Sequence, residues 1–324
     1  MAPHINLGLF DPSDPASDKE VAAALEDLVN GTLEPFGAAK TIDEVIRADV
    51  QEAYTSYTSQ PHPTPEQLED GIVRKPSPAG WQRFLWLSLG EVALRVPADH
   101  PGQQSVVAFL QELPRLPRHK VPEVIGDTKE VREKELWAQD TAYDGFEQWM
   151  YEVNEGNFMA RQTPSGDPDA AVKYLNFSAL MARLLAGGVI DTSRLSALRS
   201  PSPFAVGKPL ISPVHPDPAD AARHYEPWLS AAAQWILHAG EALFELCEKK
   251  AFRELGSQVW TRTQWDGWKL KFEAASKEDR LSTQARQLAS KALTQMAEVE
   301  KQGVKESVFE ALGFMSMDYG DDDE

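Results

Sequence analysis

The sequence predicts an all-α fold, a compact irregular bundle of about ten helices with no sheet. Apolar residues recur at spacings of three and four along most of the chain, which is the period of a helix with a buried face. Residues that cap helices precede many of these stretches, and no period-two run of β-branched residues appears. With 42% apolar and 9% aromatic residues, the 324-residue chain can build a sizeable core.

The N-terminal part of the chain carries four helix-start signals, at Ser17, Thr41, Thr64 and Ser77. The first two are followed three residues later by glutamate, the spacing of a capping box, in which both side chains satisfy orphan backbone N–H groups. The last two precede proline, whose missing N–H costs nothing at the first helical position. Four helices are therefore predicted. The last has tryptophan and leucine on more than one side, which predicts burial from several directions.

A helix predicted around residues 103–113 is followed by three prolines that interrupt the helical pattern. Between these prolines lies the one basic patch of the chain, Arg115, Arg118, His119 and Lys120. Two interpretations stay open for it, a solvated connector and a docking site for an acidic partner. Helices are predicted to resume over 127–139 and 141–153.

A central helix is predicted between Asp167-Pro168, a strong start signal, and Gly187-Gly188, a strong stop. A short helix is a candidate at 191–198. Residues 200–218 contain six prolines, which predicts a long crossing loop and the best candidate for a mobile segment.

The longest predicted helix starts at Glu226-Pro227 and continues through Lys250. It is apolar on both flanks, which indicates close packing by neighbours. Gly240 lies inside it at a cost of about 1 kcal/mol relative to alanine, for which the close approach of another backbone usually compensates. Helices over 263–275 and 281–299 follow, with a short one near 305–312.

Charge and pattern together predict the domain organisation. Of the net charge of −18, residues 1–70 hold 14 acids and 3 bases, and residues 318–324 hold 5 acids and no base. We expect a single helical domain over 16–314, within which 16–70 is a candidate acidic subdomain. A flexible arm, 1–15, and a disordered acidic tail, 315–324, are expected to flank it.

Composition and motifs argue against several classes of function. The body of the chain is nearly neutral and has no net basic face, so nucleic-acid binding is not expected. No segment approaches the roughly 18 uninterrupted apolar residues of a membrane helix, so no membrane association is expected. Nucleotide-loop, hydrolase and zinc-protease motifs are missing, and the lone Cys247 makes no zinc half-site, so neither metal nor cofactor is expected. A lone cysteine and no secretion signal predict an intracellular protein, cytoplasmic or nuclear.

Four sequence blocks stand out in the C-terminal part: LNFSALMARL (175–184), AAAQWILHAGEALFE (231–245), WDGWKLKFEAA (265–275) and LSTQARQLASKALTQM (281–296). They resemble the blocks of a fungal family, domain of unknown function 3632. They occur in family order and cover roughly residues 140–300. The resemblance implies an all-helical fold and an ascomycete source, and it implies no particular activity.

Two groups of residues in the C-terminal half are candidates for a ligand or partner pocket. His238 and Glu241 lie one helical turn apart, with Glu245 another turn along. They are either a base and its orienting carboxylate lining a pocket or a partly exposed polar strip on an otherwise buried helix. Arg262, Trp265 and Trp268 form either an aromatic and cationic lip for a ligand or core aromatics with cations at the edge.

Three polar residues lie on helices that are otherwise apolar. Asn176 and Arg183 share one face of the central helix, and Arg286 is a candidate to point inward from a later helix. Because a buried unpaired guanidinium is costly, these residues either bridge helices or form the polar floor of a pocket near Trp235.

Two functions stay open after the sequence analysis. The favoured one is a non-catalytic protein-interaction or regulatory module that binds other proteins through helical grooves and acidic ends. The alternative is an enzyme or binder for a small apolar metabolite in a tryptophan-lined pocket, for instance in fungal secondary metabolism. A closed cavity near Trp235 and Trp268 would favour the alternative.

Overall fold

The structure, a computed structural model, describes residues 3–59, 64, 73–125, 130–138, 141–159, 167–199, 217–253 and 259–317. These residues form nine helices and two short two-stranded sheets, which confirms the predicted all-α class and corrects the prediction that the fold has no sheet. The chain divides into two compact units, Met1–Val153 and Asn154–Glu324. The single domain over 16–314 stays a prediction.

The first unit is built around five helices: α1 (Ala16–Asn30), α2 (Pro35–Ser59), α3 (Pro78–Arg95), α4 (Gly102–Glu112) and α5 (Phe146–Asn154). The central helix is α2, which packs against α1, α3 and α4. It buries Ile42, Ile46 and Val50 completely, the i, i+4, i+8 stripe of a core-facing helix. The predicted acidic subdomain therefore shares its core with helices beyond residue 70.

Two of the predicted helix starts differ in the structure. Helix α1 begins after Pro15 without a side-chain cap, and the Ser17 hydroxyl instead donates to Asp49 on α2 at 3.4 Å. Helix α2 begins at Pro35, because a proline at the first helical position suits a helix start, and Thr41 therefore lies inside the helix. The start at Ser77 is confirmed, since its Oγ accepts the N–H of Gly80 at 3.1 Å.

Residues 3–15, for which a flexible arm was expected, lie against the helices of the first unit. The N–H of Leu7 donates to Glu26 Oε2 at 3.0 Å, and the N–H of Ile5 donates to Asn30 Oδ1 at 2.8 Å. Leu7 is fully buried. Burying this side chain stabilises the docked arm by roughly 2 kcal/mol.

A hairpin of β1 (Lys120–Val124) and β2 (Val131–Glu135) lies where part of the helix over 127–139 was predicted. Its ladder carries two cross-strand ion pairs, Lys120–Glu133 and Lys134–Glu123. Attraction between opposite charges across strands supports a sheet. This hairpin was not foreseen because its strands are mostly charged and lack the period-two apolar pattern of a half-buried strand.

The second unit contains α6 (Pro168–Ala186), α7 (Pro218–Glu248), α8 (Arg262–Ser276) and α9 (Thr283–Gln302). Helix α7 packs against the other three. The start signal at Asp167 is confirmed, since its side chain accepts the N–H of Asp169 at 2.9 Å. A capping box of Thr261 and Gln264 begins α8, and Ser282 caps α9.

Helix α7 differs from its prediction at both ends and in the middle. It begins at Pro218, so Pro227 lies inside it, and it ends before Lys250, whose φ of 47° is left-handed and incompatible with a continuing helix. Ala239 takes non-helical dihedrals and kinks the helix. A Cβ on Gly240 would lie 3.6 Å from Gln295 Cγ, an ordinary contact, so no neighbouring backbone requires glycine there.

The C-terminal segment, residues 303–317, lies against α7 as a strap rather than forming the predicted helix near 305–312. At its end β4 (Met315–Ser316) pairs with β3 (Ala251–Phe252), which follows α7. Residues 309–313 form turns in place of that helix, and the N–H of Leu312 donates to the carbonyl of Val308 at 3.0 Å.

Three remaining predictions concern connecting segments. The stretch 191–198 forms two short 3₁₀ turns instead of an α-helix. The helix predicted to begin at Pro65, residues 200–216 of the predicted loop and residues 318–324 of the predicted tail lie outside the described residues. Residues 315–316 of that tail, for which disorder was expected, form β4.

Candidate functional site

Glu241 on α7 holds the strap by its main chain. Its Oε1 accepts the N–H of Lys305 and the N–H of Glu306, the second at 2.8 Å. A carboxylate that accepts hydrogen bonds from two consecutive backbone N–H groups fixes the direction of the chain without contacting its side chains. The carboxylate of Glu241 therefore serves the strap, and its geometry does not orient His238.

Glu245, one helical turn further along α7, makes the larger set of contacts. Its Oε2 accepts the N–H of Val308 at 2.8 Å and that of Phe309 at 3.3 Å. Its Oε1 accepts the hydroxyl of Ser307 at 2.5 Å and contacts Lys249 Nζ at 2.9 Å. Only 3% of Glu245 is exposed, so these contacts replace water around a buried carboxylate.

The contacts of Glu245 also determine its charge. Burial disfavours the ionised form, but the hydrogen bonds from Ser307, Lys249 and the two backbone N–H groups outweigh it, and the pKa of Glu245 lies below its ordinary value. At neutral pH this position on α7 is therefore a carboxylate, which accepts hydrogen bonds and donates none.

Apolar side chains of the strap add to these polar ties. Val308 and Phe314 are buried, and the Phe309 and Phe314 rings stack at 6.4 Å between centroids. The ammonium group of Lys249 lies over the Phe309 ring, 4.4 Å from its centroid, an attractive cation–π contact. We call Glu241, Glu245 and Lys249, together with β3, the docking strip.

A pocket of about 260 Å³ opens where α7 kinks. It is lined by Ala186, Leu237, His238, Ala239, Gly240, Glu241, Ala242, Gln295, Lys305, Glu306 and Val308. The strap thus supplies one wall of the pocket. Two predicted site residues, His238 and Glu241, line it, and its lining contains neither Trp235 nor Trp268.

His238 is held in its neutral form beside this pocket. Burial and the positive charge of Arg183 lower the pKa of His238 to about 4. Its Nε2 lies 3.1 Å from Gln234 Oε1, one turn earlier on α7. Burial and Arg183 both disfavour protonation of His238, so the predicted base role has no support in this electrostatic setting.

Helices α6 and α7 run side by side in the same direction. Near their starts the rings of Tyr174 and Trp228 are 5.0 Å apart, and further along Arg183 acts electrostatically on His238. Ser178 and Trp235 lie between these two points of contact. Both are buried, and neither Ser178 Oγ nor Trp235 Nε1 has a hydrogen-bond partner in the described part of the chain.

The predicted tryptophan lip is part of the hydrophobic core. Trp265 and Trp268 are buried with their ring centroids 6.3 Å apart. Arg262 lies outside them and pairs with three carboxylates, those of Glu248, Asp266 and Glu300. Its charge is compensated within the second unit, which matches the alternative of core aromatics with cations at the edge.

The remaining predicted site residues to be located are Asn176, Arg183 and Arg286. Asn176 is buried on α6, while Arg183 donates to the carbonyl of Ala179 on its own helix at 3.2 Å. Arg286 is partly exposed and pairs with the exposed Asp279 at 2.9 Å, so it does not point inward. Among the nine candidates, Arg183 acts electrostatically on His238, and His238 and Glu241 line one pocket. Arg262 and Trp265 share the acceptor Glu300, and Trp265 packs on Trp268.

Neither Ser307 nor Gln234 was identified from the sequence as a partner of the polar residues on α7. The one available signal was the spacing of Glu241, Glu245 and Lys249, which places three charged side chains on one face of a largely apolar helix. Nothing local indicated that the partner of this face lies some 60 residues further along the chain.

The charges of Arg115 and Arg118 in the basic patch are paired with carboxylates, and Cys247 is buried. Arg115 pairs with Glu112 at 2.7 Å and Arg118 with Glu135 at 3.4 Å, which favours the solvated connector over an acidic docking site. Burial raises the pKa of the Cys247 thiol to about 12, so this thiol is unreactive at neutral pH. Among the described residues no cluster of three His, Cys, Asp or Glu side chains could hold a metal ion.

Comparison with known proteins places the chain in a family without a known activity. A family model described as protein of unknown function (DUF3632) matches residues 86–272, more than half of the chain. This range includes the docking strip, and the strap lies beyond it. No curated protein and no solved structure matches the chain. No helix in the described ranges has the length and apolar character needed to cross a membrane.

Proposed function

The chain belongs to the DUF3632 family, whose membership assigns no activity, and we propose that it is a non-catalytic protein-interaction module. The partner surface is the docking strip of α7, and its ligand is a peptide segment. In the isolated protein the strap occupies this surface. One observation carries the proposal. Glu241 and Glu245 accept hydrogen bonds from four backbone N–H groups of the strap, those of Lys305, Glu306, Val308 and Phe309.

Main-chain binding of this kind is how protein modules recognise peptides. Hydrogen bonds to the peptide backbone supply affinity, while pockets for a few side chains supply specificity. The docking strip has both elements, since Glu241 and Glu245 bind N–H groups and β3 adds a strand, β4, along its edge. Pairing with an exposed strand edge is itself a common mode of peptide capture.

The strap indicates the chemistry of a suitable partner. Its contacts come from a hydroxyl residue, Ser307, followed by the buried Val308 and by Phe309, which packs under Lys249. A partner segment is therefore expected to carry a serine or threonine followed by an apolar and an aromatic residue. Such a segment offers the same donor to Glu245 and the same ring to Lys249.

The interaction is testable in the folded full chain. A protease site inserted between Gly303 and Val304 allows the strap to be cut after folding. A labelled peptide of residues 303–317 is expected to replace the cut strap with a dissociation constant of about micromolar size, measured by fluorescence anisotropy. Failure of the peptide to bind the cut chain would contradict the proposal.

A matched pair of variants identifies the binding groups. The double variant Glu241→Gln with Glu245→Gln should weaken the peptide by about ten-fold or more, because charge-assisted hydrogen bonds are stronger than neutral ones. Glu298→Gln changes an exposed glutamate of α9 and should leave binding unchanged. Peptides selected from a display library on the cut chain should carry the hydroxyl, apolar and aromatic pattern. If the selected peptides lack this hydroxyl, apolar and aromatic pattern, the docking strip does not recognise partner proteins in the proposed way.

The cellular setting is part of the proposal. We propose that the protein acts inside a fungal cell, in the cytoplasm or the nucleus. The supports are the four family blocks and a single cysteine that is buried and cannot form an intrachain disulfide. Localisation of the tagged full chain in an ascomycete tests this placement.

A second candidate function rests on one observation between helices α6 and α7. Buried polar atoms normally have partners, and Trp235 Nε1 and Ser178 Oγ have none in the described residues. A small molecule with a hydrogen-bond acceptor and an apolar body would satisfy both. Native mass spectrometry of the purified chain distinguishes the two functions, since a stoichiometric bound metabolite supports this candidate and a ligand-free chain counts against it.

A further inference from the structure

We propose that Ser307 is a phosphorylation site and that its phosphate releases the strap from the docking strip. The regulatory consequence, exposure of the strip to a partner, rests on the function proposed above. The release itself rests only on the contacts of Ser307 and can be tested without any partner.

Ser307 is placed where a kinase can reach it. The residue is exposed and lies in a segment without regular secondary structure, between the end of α9 and the buried Val308. Gly303, at the start of this segment, has a φ of 71°, which glycine adopts without strain and which turns the chain out of the helix. Glu306 and Glu310, also exposed, flank the serine and suit a kinase that selects acidic surroundings.

The docked geometry requires a hydrogen-bond donor at Ser307. Its hydroxyl donates to Glu245 Oε1 at 2.5 Å, and hydrogen bonds hold the pKa of Glu245 below its ordinary value, so the acceptor is an anion. A phosphoserine has no such donor in its dianionic form and carries nearly two negative charges. The phosphate oxygens and the Glu245 carboxylate, which is 3% exposed, would then both be hydrogen-bond acceptors with no donor between them.

The surrounding charges do not compensate for the added phosphate. The cation that contacts Glu245 is Lys249, which already balances that carboxylate and lies over the Phe309 ring. Glu241 is one turn away on the same helix face and Glu306 is adjacent in the chain. Lys305, an exposed residue two positions before Ser307, is a second cation nearby. Two lysines against a phosphate dianion and the carboxylates of Glu241, Glu245 and Glu306 leave net repulsion, which disrupts a docked segment.

The chemical step is an ordinary phosphoryl transfer. The γ-phosphoryl group of a nucleoside triphosphate bonds to Ser307 Oγ, and the bond to the leaving nucleoside diphosphate breaks. The hydroxyl proton passes to the catalytic base of the kinase. The product detaches from Glu245, and the main-chain ties to Val308 and Phe309 are lost with it because the same carboxylate makes them.

Hydrogen exchange of the folded full chain measures the release. Phosphoserine is installed at position 307 during synthesis, and exchange is followed at the amides of Lys305, Glu306, Val308 and Phe309. Exchange of these amides should accelerate by about ten-fold or more. Phosphoserine installed at Ser290, an exposed serine of α9, is the matched control and should leave them unchanged.

A third variant separates charge from the loss of a hydrogen bond. Ser307→Ala removes the donor without adding charge and should accelerate exchange by less than the phosphate does. The proposal is overturned if phosphoserine 307 exchanges like the unmodified chain, or if Ser307→Ala has an equal effect. Incubation of the full chain with a nucleoside triphosphate and a serine kinase selective for acidic sequences should phosphorylate Ser307, as detected by mass spectrometry. Absence of phosphate at Ser307 would also overturn it.

Strap release and peptide recognition can fail separately. If phosphate releases the strap but the cut chain does not bind the strap peptide, the switch stands and the interaction function falls. If the peptide binds but phosphate leaves the amides protected, the interaction function stands and Ser307 is not its regulator.

Discussion

Trp265 of α8 donates its indole N–H to Glu300 Oε1 of α9 at 2.9 Å. The same carboxylate contacts Lys269 Nζ at 2.5 Å and Arg262 Nη2 at 3.2 Å. Burial opposes ionisation of Glu300, but hydrogen bonds from Lys269 and Trp265 outweigh it and lower its pKa. Glu300 of α9 therefore binds three side chains of α8, and the two cations that balance its charge, Lys269 and Arg262, are both on α8.

Removing this acceptor should destabilise the second unit. Glu300→Ala leaves the buried indole N–H of Trp265 unpaired and is expected to lower the free energy of unfolding by about 1–3 kcal/mol. Glu298→Ala, at an exposed glutamate two residues away, should change it by less than about 0.5 kcal/mol. Urea denaturation followed by circular dichroism measures both. Equal stability of the two variants would show that Glu300 does not hold the helices together.

The docking of the strap should depend on acid through Glu245. Its folded pKa lies below the ordinary value of 4.5, so its stabilisation is complete above about pH 4.5 and is lost as the pH falls through the folded pKa. Exchange at the Val308 and Phe309 amides, corrected for the intrinsic rate, should rise in that range. Glu245→Gln should weaken docking at neutral pH and abolish this acid step. A step of the same size in that variant would assign the effect to another group.

His238 should make the fold less stable in mild acid. The unfolded state binds a proton near pH 6.5 and the folded state only near pH 4, so stability falls as the pH decreases between these values. The loss should reach at most about 3 kcal/mol. Denaturation of the wild type and of His238→Gln at pH 7 and pH 5 measures it. The variant should lose less stability than the wild type, whereas His4→Gln, at an exposed histidine, should behave like the wild type.

Two glycine substitutions should have opposite effects. A Cβ at Gly102, the first residue of α4, would lie 2.5 Å from the carbonyl oxygen of Val29, so Gly102→Ala must displace the backbone. We expect it to destabilise the first unit by about 1–3 kcal/mol. Gly267 lies inside α8 with nothing within 4 Å of its Cβ position, so Gly267→Ala should stabilise the second unit by about 0.5–1 kcal/mol. Thermal melting of both variants tests this, and a stabilised Gly102→Ala would contradict it.

Helix existence was more predictable than helix limits. The caps at Ser77 and Asp167 and the stop at Gly187 are as predicted, because capping uses residues close together in sequence. The start of α2 was mispredicted because both Pro35 and Thr41 are good start residues, and local sequence does not decide between them. The kink at Ala239 was missed, since no proline lies nearby to predict it.

The candidate site was predictable only in part. His238 and Glu241 were identified as a polar strip on α7, and they do line one pocket. Their roles depend on groups far away in the chain, Arg183 for His238 and Lys305 with Glu306 for Glu241. The predicted tryptophan pocket is packed core, because indole rings at helical spacing bury each other when a neighbouring helix is present.

The sequence by itself determined the all-α class, most of the helices and the family, because helical period, capping and family blocks are properties of neighbouring residues. Tertiary structure decided what the polar residues do. Only the folded chain brings Ser307 to Glu245 and β4 to β3, since these contacts join segments about 60 residues apart that carry no local signal for each other. A charged residue on a helix face has the same local pattern whether it meets water, a core or a peptide, and the fold selects among them.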